Sequence, residues 1–214
     1  MRVFRKTQIA AVTLFVLTSL VCSGCWSGKT PIHKDDPPAV KALKKAGAEV
    51  QVQPTMAAKD MKGWSVDLSG MSLDRELFEL LGNVESLIAV ILKDPDVTDE
   101  TLAMLPEMPS VQRLDLTGSS VTNEGLKHLT GYRNLVTLNL SDTKVTGAGL
   151  SELPAGLSGV ILYNLAIEDG DLQNMNHMKK LSIVGLVGTG VSPEAVRSFK
   201  RDRPFLLTIG VKLD

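Results

Sequence analysis

The chain has 214 residues, with 23 basic and 24 acidic side chains, a formal net charge of −1, 43% hydrophobic and 22% charged residues. That length allows one domain or at most two with ample core. The apolar share excludes wholesale disorder, and the even charge balance argues against general nucleic-acid binding, which shows as a basic excess. Within the apolar class, 31 leucines stand against 5 Phe, 2 Trp and 2 Tyr, so a leucine-built solenoid or a set of repeated helices is the first hypothesis to test.

At the N-terminus, Arg2, Arg5 and Lys6 precede an apolar run over residues 9–21, which is short for a membrane span and suits the core of a signal peptide. The run ends in Val21-Cys22-Ser23-Gly24-Cys25, which resembles a bacterial lipobox, with Cys22 standing where leucine is usual. The resemblance implies removal of residues 1–24 and lipidation of Cys25. Both cysteines of the chain lie in this segment, so the mature part is expected to hold no disulfide and no thiolate metal site. Removing residues 1–24 takes away three basic and no acidic residues, leaving 20 against 24, or −4. Residues 25–38 carry Pro31, Pro37, Pro38, Lys34, Asp35 and Asp36 and read as an extended tether. One acyl chain holds a membrane only reversibly, and two or more hold it stably. Bacterial lipoproteins of this type carry several, so the resemblance implies a firm anchor.

Residues 39–65 read as an N-terminal cap. Ala39 to Ala46 is patterned as an amphipathic helix stopped by Gly47, and Glu49 to Gln53 alternates as a strand. From Val66 the chain repeats. The segments beginning at Val66, Val90, Leu114, Leu138, Val160 and Val184 are spaced by 24, 24, 24, 22 and 24 residues, and each carries a second apolar residue two positions on (Leu68, Leu92, Leu116, Leu140, Leu162, Leu186). Seven residues after each start comes Leu73, Val97, Val121, Val145, Ile167 or Val191. Further apolar columns hold Leu102, Leu126 and Leu150, then Leu105, Leu129 and Leu153. Near the end of successive units stand Leu87, Val111, Leu135, Leu157, Leu181 and Phe205.

Apolar residues two apart describe a short strand with one buried face. Eight residues after each start stands Asp74, Thr98, Thr122, Thr146, Glu168 or Ser192, and five of these six are good helix N-caps. Each unit over residues 66–208 is therefore predicted to be strand, turn, capped helix and return loop. None can bury its own apolar face, so neighbours must stack. Residues 209–214 supply a last strand around Ile209 and thin cover for the C-terminal edge.

The stretches Leu114-Asp-Leu-Thr-Gly-Ser-Ser-Val-Thr-Asn-Glu-Gly-Leu126 and Leu138-Asn-Leu-Ser-Asp-Thr-Lys-Val-Thr-Gly-Ala-Gly-Leu150 strongly resemble leucine-rich repeats, and within them the 24-residue bacterial class with a Val-Thr-Asp-x-Gly-Leu signature. The resemblance implies an α/β solenoid with a parallel β-sheet on the concave face and short helices on the convex face. Three departures stand out: the fourth unit is two residues short around Pro154-Ala155-Gly156, the fifth replaces Val-Thr by Ile167-Glu168, and the sixth carries Pro193 in a first helical turn.

Strand residues that point away from the core line the concave face. The first four units offer Asp67, Lys93, Arg113, Asp115, Thr117 and Asn139; the last two offer Ile161, Tyr163, Ile183 and Val187. A polar stretch running into an exposed aromatic–aliphatic cluster suits a protein partner, since aromatics and arginine carry most interface energy. Arg113, Asp115, Asn139, Ile161 and Tyr163 are the candidate partner-binding residues. Packing of the apolar members against the C-terminal strand is the competing reading.

Catalytic readings find little support. Asp67 and Asp115 sit two strands apart, roughly 10 Å at about 4.8 Å per strand, beyond the spacing of about 6.5–9.5 Å for an inverting carboxylate pair. His33, His128 and His177 share no metal-ligand spacing and read as solvent-facing, and Gly188-Thr189-Gly190 lacks the lysine of a phosphate loop. The sequence thus predicts a lipid-anchored, non-catalytic protein-binding module of the bacterial cell envelope, with no cofactor, no metal and no nucleic acid. Its alternative is an envelope spacer without a dedicated ligand. The protein partner, and the membrane reached through the N-terminal lipid, are the two expected contacts.

Overall fold

The computed structural model describes residues 33–54 and 62–211. The expected signal peptide, Cys25, the first part of the tether and the last three residues lie outside them. The chain begins with helix α1 (Pro38–Ala46), whose Val40 and Leu43 are fully buried and which ends at Gly47, held at φ 109°, a left-handed conformation that favours glycine. Strands β1 (Glu49–Pro54) and β2 (Lys62–Asp67) then pair antiparallel.

From β2 onward the architecture is periodic. Strands β3 (Leu87–Ile91), β4 (Arg113–Asp115), β5 (Thr137–Asn139), β6 (Gly159–Ile161), β7 (Ile183–Gly185) and β8 (Leu207–Ile209) add in parallel, giving an eight-stranded sheet in chain order. Register places equivalent residues side by side: Leu114 faces Leu138, and Leu138 faces Val160 across the shortened unit. The two missing residues are therefore absorbed away from the sheet. The first apolar residue of each unit forms a continuous rung, with Val66, Val90, Leu114, Leu138, Val160 and Val184 all at most 1% exposed.

The opposite side carries α2 (Arg75–Gly82), α3 (Asp99–Met104), α4 (Asn123–Leu126) and α5 (Pro193–Phe199). The fourth and fifth units depart from the expected helix and form the tighter 3-10 helices Gly147–Glu152 and Asp169–Met175. Gly147, Gly149 and Gly170 are poor helix formers, and 3-10 geometry serves short segments.

Neighbouring units are locked through the N-cap amides, five of which have a side-chain acceptor. Thr122 donates its N–H to Asp99 Oδ1 (2.8 Å) and its hydroxyl to Asp99 Oδ2 (2.6 Å). Ser192 does the same with Asp169, and Thr146 N–H donates to Asn123 Oδ1 (3.0 Å). In each case a carboxylate or amide in the first turn of one unit serves the cap of the next. Two units cannot use this relay, because Arg75 and Gly147 stand where the preceding unit would supply the acceptor. There the acceptor comes from within: Thr98 N–H donates to Thr101 Oγ1 (3.1 Å) and Glu168 N–H to Asp171 Oδ2 (2.9 Å). The glycines of the signature follow from the same geometry. A Cβ on Gly125 would overlap the Asp99 carboxylate, and one on Gly149 would overlap the Asn123 amide.

All six expected cap residues occupy N-cap positions, Glu168 included. Asp74, Thr122 and Ser192 accept from their own first turn, at 2.9, 3.2 and 3.2 Å. Thr146 makes no such cap; its hydroxyl accepts from Asn123 Nδ2 instead (2.9 Å).

One expectation about the tether is corrected. Asp36 is no spacer residue: it is buried, accepts His33 N–H at 2.9 Å, and forms an ion pair with the buried Lys44 of α1 at 2.8 Å. The charged tripeptide Lys34-Asp35-Asp36 thus ends in a clasp on the N-terminal cap. An isolated buried ammonium is costly, and Lys44 draws Asp36 in.

Candidate functional site: the concave face

The concave face has two halves. In the first, a strand-end motif recurs wherever a carboxylate or amide precedes a hydroxyl residue by two. Asp67 Oδ1 accepts from Ser69 N–H (2.9 Å) and Ser69 Oγ–H (2.6 Å). Asp115 Oδ1 accepts from Thr117 in the same way (3.1 and 2.6 Å), and Asn139 Oδ1 from Ser141 (3.1 and 2.7 Å). Each motif turns a strand end into a rigid loop through side-chain-to-backbone bonds. The hydroxyls also stitch units together: Lys93 N–H donates to Ser69 Oγ (3.1 Å) and Tyr163 N–H to Ser141 Oγ (3.3 Å).

Charge around β4 is engaged and largely buried, whereas Asp67 is half-buried and its carboxylate is bonded, among the described residues, to Ser69 alone. Asp115 Oδ2 lies 3.1 Å from Lys93 Nζ, and its other oxygen is committed to Thr117. Arg113 Nη2 donates to Gln53 Oε1 on β1, a contact between residues 60 apart in sequence. Burial pushes the Arg113 guanidinium below its usual range while Asp115 pulls it back up, and an arginine remains a cation throughout. Arg113 and Asp115 are each only 8% exposed, so the surface they were expected to offer is mostly spent on holding β1, β3 and β4 in place. Asn139 remains half-buried.

In the second half the competing reading, packing against the C-terminal strand, is the one the structure shows. Ile161 and Ile183 do not form an exposed apolar patch: they are 2% and 0% exposed and pack with Tyr163 and Ile209 into a small cluster of their own. Adjacent parallel strands bring equivalent side chains into contact, and on an inward-curving face these meet above the sheet. Tyr163 stays half-buried, and desolvation pushes its phenol up, so it is a neutral donor and acceptor at physiological pH. Its ring lies against Gly185, where a Cβ would overlap it. Gly185, Gln53 and Lys93 are thus positioning residues for the candidate site. Lys93 is visible in the sequence as a concave-face residue and Gly185 as a glycine in a column otherwise holding Asp, Ile and Asn, whereas Gln53 has no such signal. Val187, at the end of the cluster, is exposed.

Of the five candidate residues, Ile161 and Tyr163 join one cluster, Arg113 and Asp115 sit two positions apart on β4, and Asn139 connects the halves through Ser141 to the Tyr163 amide. This arrangement offers shape, an aromatic anchor and fixed polar groups. The three histidines are exposed, and the ring nitrogens of His177 lie 3.0 and 2.8 Å from the carbonyl oxygens of Asn174 and Leu153. Among the described residues, no group of three or more His, Cys, Asp or Glu is placed to hold a metal ion. No helix among them is long and apolar enough to cross a membrane.

Residues 107–129 and 133–153 match the family model described as Leucine Rich repeat. These stretches contain β4 and β5 with the convex segments that follow them, and the same parallel strand pairing extends from β2 to β8. No curated protein matches the chain. Among solved structures, the chain is similar to the crystal structure of internalin C2 from Listeria monocytogenes, at 24% identity and a TM-score of 0.48, over 63% of this chain and 55% of that one. The chain therefore spans little more than half the length of that protein. The fold is an α/β leucine-rich-repeat solenoid, with a mostly parallel sheet on one face and short helices on the other.

Proposed function

We propose that this protein is a lipid-anchored, non-catalytic protein-binding module of the bacterial cell envelope that engages its partner through the concave face. The observation that carries the reading is Tyr163, a half-buried aromatic held on a packed floor of Ile161, Ile183 and Ile209 and flanked by the pinned polar ladder of Asn139 and Ser141. A rigid aromatic with fixed polar neighbours is what an interface anchor needs, because little conformational freedom is lost on binding. Repeat solenoids supply such preformed concave surfaces, though a fold alone does not define a role. The carboxylates of this face are engaged by hydroxyls, amides and Lys93, which favours recognition over proton transfer. Cys25, at the end of the lipobox-like segment, is the proposed lipidation site.

Crosslinking in intact cells followed by capture tests this reading, with Tyr163→Ala on the concave face and Lys127→Ala on the convex face as control. The expected result is one saturable partner lost in the first variant and retained in the second, with both variants folded at the assay temperature by their unfolding curves. Capture of no partner, or of the same weak set by both, would replace the recognition module with an envelope spacer. Fatty-acid labelling that persists in Cys25→Ser would remove the anchor from the proposal.

A further inference from the structure

The C-terminal end of the solenoid differs from every junction inside it. Strand β8 bonds to β7 through Leu207 N–H, which donates to Ser182 O (2.8 Å), and through Ile209 O, which accepts from Leu186 N–H (2.8 Å). Residues alternate along a strand, so the N–H and C=O of Thr208 face outward, where no described strand pairs with them. Leu206 takes the buried place that Val111, Leu135, Leu157 and Leu181 hold in earlier units, with the same turn bond (N–H to Arg203 O, 3.0 Å), and this turns the preceding Phe205 outward to 58% exposure. Leu207 beside it is 37% exposed.

Charge is distributed unevenly as well. Residues 176–211 contain six basic side chains (Lys179, Lys180, Arg197, Lys200, Arg201 and Arg203) against Glu194 and Asp202, or +4. Residues 62–110 contain three basic and ten acidic ones, or −7. Arg197 pairs with Glu194, and Arg203 stacks on Phe199 at 4.2 Å, whereas Lys200 and Arg201 make no ion pair among the described residues. They stand in the loop that leads to Phe205. Two such basic ends would repel each other, which counts against a symmetric pair of copies joined edge to edge.

We propose that β8 is a docking edge for an extended acidic segment of a partner protein, which adds as a ninth strand, covers Phe205 with an apolar side chain, and sets its carboxylates against Lys200 and Arg201. Strand addition draws affinity from main-chain hydrogen bonds and specificity from alternate side chains, and opposite charge selects the partner and speeds encounter. Ile209 of this strand packs in the cluster with Tyr163, but the outward N–H and C=O of Thr208 and the charges of Lys200 and Arg201 lie outside that cluster and can be changed without touching it.

The test uses the full chain with Cys25→Ser and a fluorescein-labelled peptide of alternating valine and aspartate, ten residues long, followed by anisotropy. Binding should be saturable and weaken at higher salt. It should fall about tenfold or more in the double variant Lys200→Glu/Arg201→Glu. Thr208→Pro removes the outward N–H at an edge position where proline is tolerated, and should abolish binding while leaving the unfolding midpoint in place. Exchange of the Thr208 amide should slow when the acidic peptide binds, and Lys127→Ala on the convex face should leave the affinity unchanged. Equal binding of the valine–lysine counterpart, or binding indifferent to both the charge reversal and Thr208→Pro, would overturn the proposal. So would failure of the acidic peptide alongside saturable binding to phosphatidylglycerol vesicles, or alongside self-association of the chain lost in Thr208→Pro.

Discussion

The two ends of the solenoid solve the same problem in opposite ways. At the N-terminal end, α1 lays Val40 and Leu43 over the first unit, β1 pairs with β2, and the buried Lys44–Asp36 pair fastens the chain that leads in. At the C-terminal end no further strand or covering helix follows among the described residues; Leu206 fills the last buried place at 3% exposure, and Phe205 beside it stands 58% exposed. Phe205 follows Leu181 by the 24-residue spacing, yet it is Leu206 that makes the turn bond to Arg203 which Leu181 makes to Met178, so spacing alone does not decide burial. In a solenoid, stability is nearly a sum of unit and junction terms, so an end without a neighbour lacks a junction's worth of contacts.

Truncation at each end should expose this difference most sharply. Leu43→Ala opens a cavity in a site that is 0% exposed and should cost about 2–5 kcal/mol. Phe205→Ser removes a larger side chain and should change stability by no more than about 0.5 kcal/mol. Denaturant unfolding of both variants measures the contrast, and similar losses at the two ends would show that something covers Phe205 in solution. A smaller but still clear effect is expected at the clasp. Lys44→Met leaves the Asp36 carboxylate buried without its cation and should cost about 1.5–3 kcal/mol, seen as faster amide exchange across α1 with no change at α5.

The same clasp gives the N-terminal end its own pH dependence. The Lys44 ammonium hydrogen bond, helped by the His33 amide and opposed by burial, holds the Asp36 carboxyl below the usual carboxylate range. A carboxyl depressed in the folded state contributes stability above its unfolded value, near about 3.9, and loses it as pH falls through the lower folded value. Acidification below about pH 4 should therefore loosen α1 before the central units, and Asp36→Asn should flatten that response. Amide exchange followed from pH 6 to 3 tests it, and identical profiles in parent and variant would assign the acid response to other groups.

Much of this architecture is legible in the sequence, because stacking repeats one set of demands at fixed spacing. The rung leucines, the cap column and the Val-Thr signature each recur, and a recurring demand leaves a periodic trace. What stayed hidden occurs once. Gln53 meets Arg113 across 60 residues, and Asp36 meets Lys44 from the segment that composition assigned to a spacer. Neither has a counterpart in another unit to reveal it. The concave cluster left two readings open for a different reason. Alternation along a strand correctly turned Ile161 and Ile183 away from the main core, but it is their packing with Tyr163 and Ile209, with Gly185 making room for the ring, that closes them off from solvent. Periodicity reports which face a residue takes, and not what else converges there.

Between the two ends, the cap relay is interrupted once within the periodic stretch from Asp99 to Ser192. Thr122 and Thr146 are served by Asp99 and Asn123 of the units before them, and Ser192 by Asp169, whereas Glu168 is served by Asp171 of its own unit because residue 147 is glycine. A Cβ on Gly147 would overlap the Asp171 carboxylate, so the two arrangements exclude each other at this junction. Gly147→Asp alone should clash and set two carboxylates together. Asp171→Gly alone should leave the Glu168 amide without its acceptor and weaken the 3-10 helix, a cap loss of about 1 kcal/mol. The double variant recreates the Asx-to-cap spacing of the neighbouring units and should recover about 1 kcal/mol or more relative to the sum of the single changes. The cycle is measured by denaturant midpoints of the parent, both singles and the double. Strict additivity would show that the alternative caps at this junction are independent decorations, and that the relay does not transmit order from the closed end toward the open one.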